Sequence, residues 1–530
     1  MPNWLKDAVF YEIYPQSFYD SNGDGIGDLP GIIQKLDHIA GLGCNAIWLN
    51  PVYDSPFLDA GYDVRDFKKV APRYGTNEDL FRLFREARAR GIRVLLDLVP
   101  GHTSIDHPWF LEARKAGANP YSGRFVFTPS VWEIPSGYLW VSGTTERDGN
   151  FLVNFFSTQP ALNYGFNHIN YPGWQNPPDH PDCLSTLEAL MDIMRFWLDN
   201  GADGFRVDMA DSLVKNDDDK TATSALWRKV RGMLDKEYPE AAIVAEWSSP
   251  ERAINMAGFH MDFYLDHVHN GYHSLVRRRE DGKDLCYVAK GAPGDITAFT
   301  NDFVPKYESS RGNGYISFLT CNHDTPRLTR YLDQNEIKLA YALIFTMPGV
   351  PFLYYGDEIG MRFVEGLASK EGGYGRTGTR TPMQWSPGKN LGFSGADPAS
   401  LYLPVDGADG APTVLGQQGD PDSLMSTVKS LISLRRSYPD LNADGDFEAV
   451  HAVSGDPLFV YRRGKLLLLT NPGAEEASFD LPRGDASHEE APQSDGLAEI
   501  FSIGRAKAEK GRITLSPQSF AIYDYNYFVT

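Results

Sequence analysis

Three short strings in this chain could do chemistry together: Gly204-Phe-Arg-Val-Asp208, Val244-Ala-Glu246-Trp and Asn322-His-Asp324. Each carboxylate closes or closely follows a short apolar run, as expected at the carboxyl end of a buried parallel strand. Three acids at the ends of three different strands is how a (β/α)8 barrel assembles an active site. The trio suits cleavage of a glycosidic bond. One carboxylate attacks the sugar carbon, an acid protonates the departing oxygen, and a third group holds the distorted ring. Arg206 lies two residues before Asp208 and so points to the same side of a strand. A guanidinium there favours the ionised state that a nucleophile needs. Glu246 needs the opposite treatment. A second carboxylate about 5 Å away, at an effective dielectric near 20, contributes about 3 kcal/mol, or about two pKa units, and lifts a glutamate into the range of a general acid.

The elements that must position these residues follow an alternating rhythm. Apolar, strand-like runs are expected at residues 9–14, 45–49, 92–99, 204–208, 242–246, 262–265, 315–319 and 351–354. Helical patterns fall at 29–40, 76–90, 184–198, 224–236, 249–256 and 336–346, the second opened by a capping box of Thr76 and Asp79. Eight strands alternating with helices predict an α/β fold, a (β/α)8 TIM barrel. The rhythm breaks between His102 and about Tyr171, which is rich in Gly, Pro and aromatic residues and reads as a small inserted domain. A Gly-rich stretch at 365–394 and a helix at 423–438 follow the eighth strand. From about Asn442, short apolar runs at hairpin spacing, such as 466–469 and 520–525, predict a separate all-β domain. The expected organisation is barrel at 1–101, insertion at 102–171, barrel again at 172–440 and a C-terminal β-sandwich at 441–530.

The bulk numbers narrow the class. A chain of 530 residues holds a barrel with attachments. A net charge of −20 makes nucleic acid and anionic membrane surfaces poor partners. Cys44, Cys183, Cys286 and Cys321 form no CxxC pair, which argues against a zinc site. No apolar run approaches a membrane span, and the start carries no charged-then-apolar signal pattern, so a cytoplasmic enzyme is the expectation. The charge and polar surface are compatible with a monomer or a homodimer.

The three strings, together with Gly43-Cys-Asn-Ala-Ile-Trp-Leu-Asn-Pro51, Asp97-Leu-Val-Pro-Gly-His102 and Gly349-Val-Pro-Phe-Leu-Tyr-Tyr-Gly-Asp-Glu358, resemble the ordered motif set of the α-amylase family of glycoside hydrolases (family 13) across essentially the whole chain. In motifs the chain is most similar to the α-glucosidases and oligo-glucosidases of that family. The resemblance implies a retaining mechanism with Asp208 as nucleophile, Glu246 as acid/base and Asp324 as the carboxylate that binds sugar hydroxyls. His102 and His323 match histidines that hydrogen-bond the sugar. Tyr62 matches an aromatic platform under the glucose ring, and Trp247 is expected to floor the site for the departing sugar. Asp63 and Arg380 match a pair that walls off the pocket behind one glucose and binds its terminal hydroxyls, a device of enzymes that take chain ends.

Asp20, Asn22, Asp24, Ile26 and Asp28 place oxygen ligands at every second residue, with Gly25 free to make the sharp turn. The twelfth position of the loop is Gly31 rather than Glu, so either Ca²⁺ or Mg²⁺ fits the donor set. Oligosaccharide-cleaving α-glucosidases carry a similar loop here, and one structural cation is expected. The chain also departs from the family. Gly101 stands where many relatives have an Asn that binds a second calcium, so that second site is not expected. Ala161 replaces a frequent acid, and Met209 a frequent Ala.

The expected function is a retaining, exo-acting α-glucosidase. It would release the non-reducing terminal glucose of short α-glucosides (malto- or isomalto-oligosaccharides, or sucrose) through a covalent glucosyl-Asp intermediate. The alternatives are an endo-acting α-amylase or neopullulanase-like hydrolase, and a transglucosidase or sugar isomerase on the same machinery. A non-catalytic, transporter-associated relative would need a membrane anchor and would have lost part of the acid set; this chain has all three acids.

Overall fold

The computed structural model describes residues 1–268, 270–290, 294–481 and 497–525. Its centre is a sheet of eight parallel strands: β1 (Phe10–Ile13), β2 (Ala46–Leu49), β3 (Arg93–Leu98), β4 (Gly204–Val207), β5 (Ala242–Ala245), β6 (Met261–Phe263), β7 (Tyr315–Ser317) and β8 (Phe352–Tyr354). They pair in the order 7-6-5-4-3-2-1-8. A parallel bridge from Leu319 to Phe352 joins the two ends, and Phe352 N donates to Phe318 O at 2.7 Å. The sheet therefore curls into the barrel read from the sequence, with each strand within two residues of its expected bounds.

Alternation along each strand sorts the side chains. Phe10, Ala46, Leu95, Ala242, Met261, Phe263 and Phe352 fill the lower interior as one apolar cluster, with Phe10 stacked on Phe352 at 4.3 Å. Two residues beyond Phe10 and Leu95, Glu12 and Asp97 replace apolar side chains, and with Arg206 of β4 they are almost fully buried. The interior thus turns polar at its carboxyl end. The other face of each strand packs against the surrounding helices. Gly204 permits the tight β4–β5 pairing: its φ is +146°, and a Cβ there would lie 1.9 Å from Ala242 O.

The outer helices have legible ends. In α1 (Leu29–Leu42) the Asp28 carboxylate accepts from Gly31 N at 2.6 Å, and Gly43 closes the helix at φ +95°. The Thr76–Asp79 capping box forms at α2 (Asn77–Ala89). α3 (Pro181–Asp199), α4 (Thr221–Glu237), α5 (Ile296–Ser310), α6 (Gln334–Thr346) and α7 (Leu424–Ser437) complete the main layer. α5 escapes the sequence pattern because Pro305 sits inside it, a residue that reads as a helix breaker. The segment after β3 carries a short helix, Pro108–Ala113, and a hairpin of Leu139–Ser142 with Asn150–Val153; bridges His102–Ala161 and Val153–Pro160 stitch it down. The chain after α7 forms antiparallel sheets of five and three strands around a shared core that includes Val460, Leu469, Ile513 and Tyr523. Residues 482–496 and 526–530 of that expected domain lie outside the described residues. Among the described residues, no helix is long and apolar enough to cross a membrane.

Candidate active site

Strand register brings the acids together. Asp97 pairs with Arg206, and Arg206 with Val244. The residues that follow continue the ladder: Asp208 N donates to Leu98 O at 2.9 Å, and Glu246 N donates to Val207 O at 3.1 Å. Asp208, Glu246 and Asp324 line one cavity of about 190 Å³ at the carboxyl end of the barrel. Asp59, Tyr62, His102, Phe155, Met209, Arg376 and Arg380 complete its walls. A larger cavity of about 400 Å³ opens at the opposite end, beside Lys6, Tyr307, Arg311 and Tyr315, but no catalytic set of acids faces it.

Arg206 organises the floor. Its Nη1 lies 2.8 Å from Asp97 Oδ1 and 3.0 Å from Asp208 Oδ1, and its Nη2 lies 2.8 Å from Glu246 Oε2. The sequence expectation gave this guanidinium to Asp208 alone; the fold shares it. Burial raises both Asp208 and Glu246 above the usual carboxylate range. Arg206 opposes that rise in each, and the charge of Glu246 adds to it for Asp208, that of Asp324 for Glu246. Two carboxylates on one guanidinium titrate as a pair. The pair keeps a proton to higher pH than an isolated acid, which supplies the general acid glycoside cleavage needs.

Asp324 is set apart electrostatically. Arg380 Nη2 lies 2.9 Å and Arg376 Nη1 2.5 Å from its Oδ1, and His323 Nε2 3.3 Å from its Oδ2. Burial favours the neutral acid, but His323 and the guanidinium groups of Arg380, Arg376 and Arg206 outweigh it, holding Asp324 below the usual range. Burial also pushes His323 well below its ordinary value.

Both histidines are nearly inaccessible, and the protein uses both ring nitrogens of each. His323 Nδ1 faces Glu12 Oε1 at 2.9 Å, and its Nε2 faces Tyr62 Oη at 2.8 Å. His102 Nε2 faces Tyr62 O at 3.1 Å, and its Nδ1 faces Asn154 Nδ2 at 3.3 Å. These bonds hold both rings in the pocket wall, and His102 lines the cavity. Burial pushes His102 down to about 4. Tyr62 lines the cavity, stacks on His323 at 5.4 Å and donates to Asp97 Oδ2 at 2.9 Å.

Two expectations need correction. Asp63 does not meet Arg380. Its carboxylate accepts from Ser55 Oγ at 2.9 Å, Leu58 N at 2.8 Å and Asp59 N at 3.1 Å, knotting the loop from within. Asp59 takes the place beside the arginines in the cavity wall, and its Oδ2 accepts from Gln159 Nε2 at 2.7 Å. Burial raises Asp59 to about 6, against the opposing pull of Gln159, Arg376 and Arg380. The loop turns back through positive φ at Phe57, Ala60 and Gly61, and that reversal chooses which acid faces inward. Trp247 does not line the cavity; it packs edge-on to Phe259 at 6.5 Å.

Sequence reasoning also missed Arg376, one helical turn before Arg380, and Glu12, whose Oε2 is buried without a partner. The spacing of Arg376 from Arg380 was the available signal; nothing local marked Glu12. In the loop at residues 20–28, Asp20 accepts from Asn22, Gly23 and Gly25 N and from Ser394 Oγ, Asn22 Oδ1 from Asp24 N, and Asp24 from Ile26 N. Asp28 caps α1 and accepts from Ser21. Asp20 and Asp28 are buried, yet among the described residues no Lys or Arg pairs with Asp20, Asp24 or Asp28.

The chain belongs to the alpha-amylase family: the model of the alpha amylase catalytic domain matches residues 12–444. It is an enzyme of a family acting on glucosides, small oligosaccharides among them. It is 35% identical over 487 residues to trehalose synthase/amylase TreS of Mycolicibacterium smegmatis, covering 84% of this chain and 78% of that one. It is 32% identical to a probable oligo-1,6-glucosidase of Bacillus subtilis, covering 91% and 92%. Among solved structures, the alpha-glucosyl transfer enzyme XgtA superposes with a TM-score of 0.80 at 27% identity over 99% of both chains. A trehalulose synthase mutant in complex with Tris gives 0.77 at 26% identity over 98% and 100%.

Proposed function

We propose that this enzyme is a retaining, exo-acting α-glucosidase that takes the non-reducing terminal glucose of short α-glucosides. The observation that carries this reading is the charged wall of the cavity, where Arg376 and Arg380 converge on Asp324 and Asp59 shares the lining. A chain running through the site would have to displace a charged cluster; a chain end would meet it with hydroxyls. One guanidinium spans Asp208 and Glu246. That favours the short separation of retaining enzymes, about 5 Å, over the wider gap that holds a water in inverting ones. Asp208 attacks the anomeric carbon while Glu246 gives its proton to the departing oxygen. Glu246 then takes a proton from the incoming acceptor as the glucosyl–Asp208 bond breaks.

With water as acceptor the reaction is hydrolysis; with a second sugar hydroxyl it is transfer or isomerisation. The names of the relatives favour that second reading, since they include a trehalose synthase/amylase and an alpha-glucosyl transfer enzyme. A product time course on maltose, isomaltose, sucrose, trehalose and maltoheptaose tests both. Glucose as the sole early product of maltoheptaose supports exo action, and early mixed oligomers overturn it. New disaccharides from maltose or sucrose identify transfer.

A single Ca²⁺ or Mg²⁺ in the loop of Asp20, Asn22, Asp24, Ile26 and Asp28 is a second part of the proposal. Support comes from the alternating oxygens and from the buried Asp20 and Asp28, whose carboxylates meet only neutral donors among the described residues. The ion would stiffen the loop ahead of α1 and take no part in the chemistry. About one equivalent of metal by elemental analysis, and a melting temperature that falls with EDTA and returns with Ca²⁺ or Mg²⁺, is the expected result. A metal-free protein with an unchanged melt refutes it.

A further inference from the structure

One side chain beside the cavity has no part in the mechanism above. Lys215 stands in the loop after β4, and among the described residues no carboxylate pairs with its ammonium. Its Nζ donates to Ser212 O at 2.5 Å and to Asn154 Oδ1 at 3.3 Å. Receiving at Oδ1 orients the Asn154 amide and turns its Nδ2 the other way. Nδ2 then donates to His102 Nδ1 at 3.3 Å and to Met209 Sδ at 3.8 Å, so both amide hydrogens are used. His102 Nδ1 must therefore be the acceptor, and the ring proton sits on Nε2, which donates to Tyr62 O at 3.1 Å. The preceding peptide group is held in turn by Tyr62 N donating to Asp59 O at 2.8 Å.

We propose that Lys215 and Asn154 are positioning residues that lock His102 in its Nε2–H tautomer, and through it the Tyr62–Asp59 wall of the cavity. The relay joins four segments: the loop after β4 that carries Asp208, the inserted hairpin, the loop after β3, and the loop of residues 54–66. Each link has the polarity the next one needs. In the opposite tautomer the lone pair of His102 Nε2 would face the Tyr62 carbonyl oxygen, an unfavourable contact in a dry site. Gly101 is the third sign of a built relay. A Cβ there would lie 2.5 Å from Asn154 Nδ2, so the amide occupies the volume that a side chain at 101 would fill. The burial that keeps His102 neutral leaves the choice of tautomer, rather than charge, as the variable.

The test uses the full-length enzyme with ¹⁵N-labelled histidine, with His102 assigned by the signal lost in His102→Gln. Wild type should show Nε2 protonated and Nδ1 bare. Lys215→Met frees the amide to turn over and should bring up an Nδ1–H population, with kcat/KM on maltose falling about tenfold. Lys215→Gln still donates to Asn154 and should retain the wild-type tautomer and most of the activity. Asn154→Asp presents only acceptor oxygens to His102 Nδ1, should draw the ring proton to that nitrogen, and reads the same ring should Lys215→Met fail to fold. The proposal is overturned if Lys215→Met or Asn154→Asp keeps the wild-type nitrogen shifts, or if Lys215→Gln behaves as Lys215→Met. Its activity readout rests on the α-glucosidase reading, but the ring-nitrogen readout needs no substrate, so the two ideas fail separately.

Discussion

At the scale of single residues, the site is a network of buried charges whose roles follow from who shares which partner. Arg206 spans Asp208 and Glu246, while Arg376 and Arg380 clamp Asp324. The first pair can hold a proton; the third acid stays ionised. Asp208→Asn keeps the shape and removes the nucleophile, so it should bind maltose while kcat falls by several orders of magnitude. Near-normal turnover would mean that another group attacks. Asp59 sets a pH limit of a different kind. Its carboxyl is raised to about 6, so it is an ionised acceptor above that pH and a neutral acid below it. KM for maltose should rise as pH falls through about 6, whereas Asp59→Asn should show a high KM that is flat across the same range. A wild-type KM independent of pH between 5 and 7 would remove Asp59 from sugar binding.

At the scale of elements, parallel register does the assembling. Once Asp97 pairs with Arg206 and Arg206 with Val244, the next residues of β3, β4 and β5 reach the same rim. The loops decide the rest. The short helix Tyr374–Thr379 presents Arg376 and leads into Arg380, so both guanidinium groups reach one carboxylate. Arg376 is the more exposed of the two, with a quarter of its side chain accessible, and it can be changed with less risk to folding. Arg376→Ala should raise KM for disaccharides severalfold and let some internal cleavage of maltoheptaose appear. Unchanged kinetics with glucose still the sole early product would show that the wall at the back of the cavity does not depend on it.

At the scale of the molecule, two buried arginines that form no salt bridge among the described residues fasten the end of α6, Arg435 to α7 and Arg463 to the chain that follows the barrel. Arg463 donates to Asn442 O at 2.8 Å, Asp446 O at 2.8 Å and Thr346 O, and Arg435 donates to Phe345 O and Met347 O at 3.0 Å. Thr346 ends α6, so both cations sit where helix carbonyls lack intrahelical partners. Arg463→Met would leave several buried carbonyl groups unpaired and should cost about 2–4 kcal/mol in a denaturant melt. A loss under about 0.5 kcal/mol would show that the apolar contacts suffice. Much of this architecture was legible in the chain, because local patterns carry it: the alternating apolar runs gave the barrel strands to within two residues, and Thr76 with Asp79 announced a helix start that forms as read. α5 was hidden by Pro305, whose missing amide a single helix can tolerate. The residue types and their order determined the chemistry on offer, since the three acids and the arginine two residues before one of them are local features of the chain. Only the tertiary structure decided that Asp59 rather than Asp63 faces the cavity, that Arg206 serves both acids, and that Lys215 reaches His102 through Asn154. Those choices depend on loop reversals and on neighbours far apart in the chain, and no local period or propensity encodes a contact of that kind.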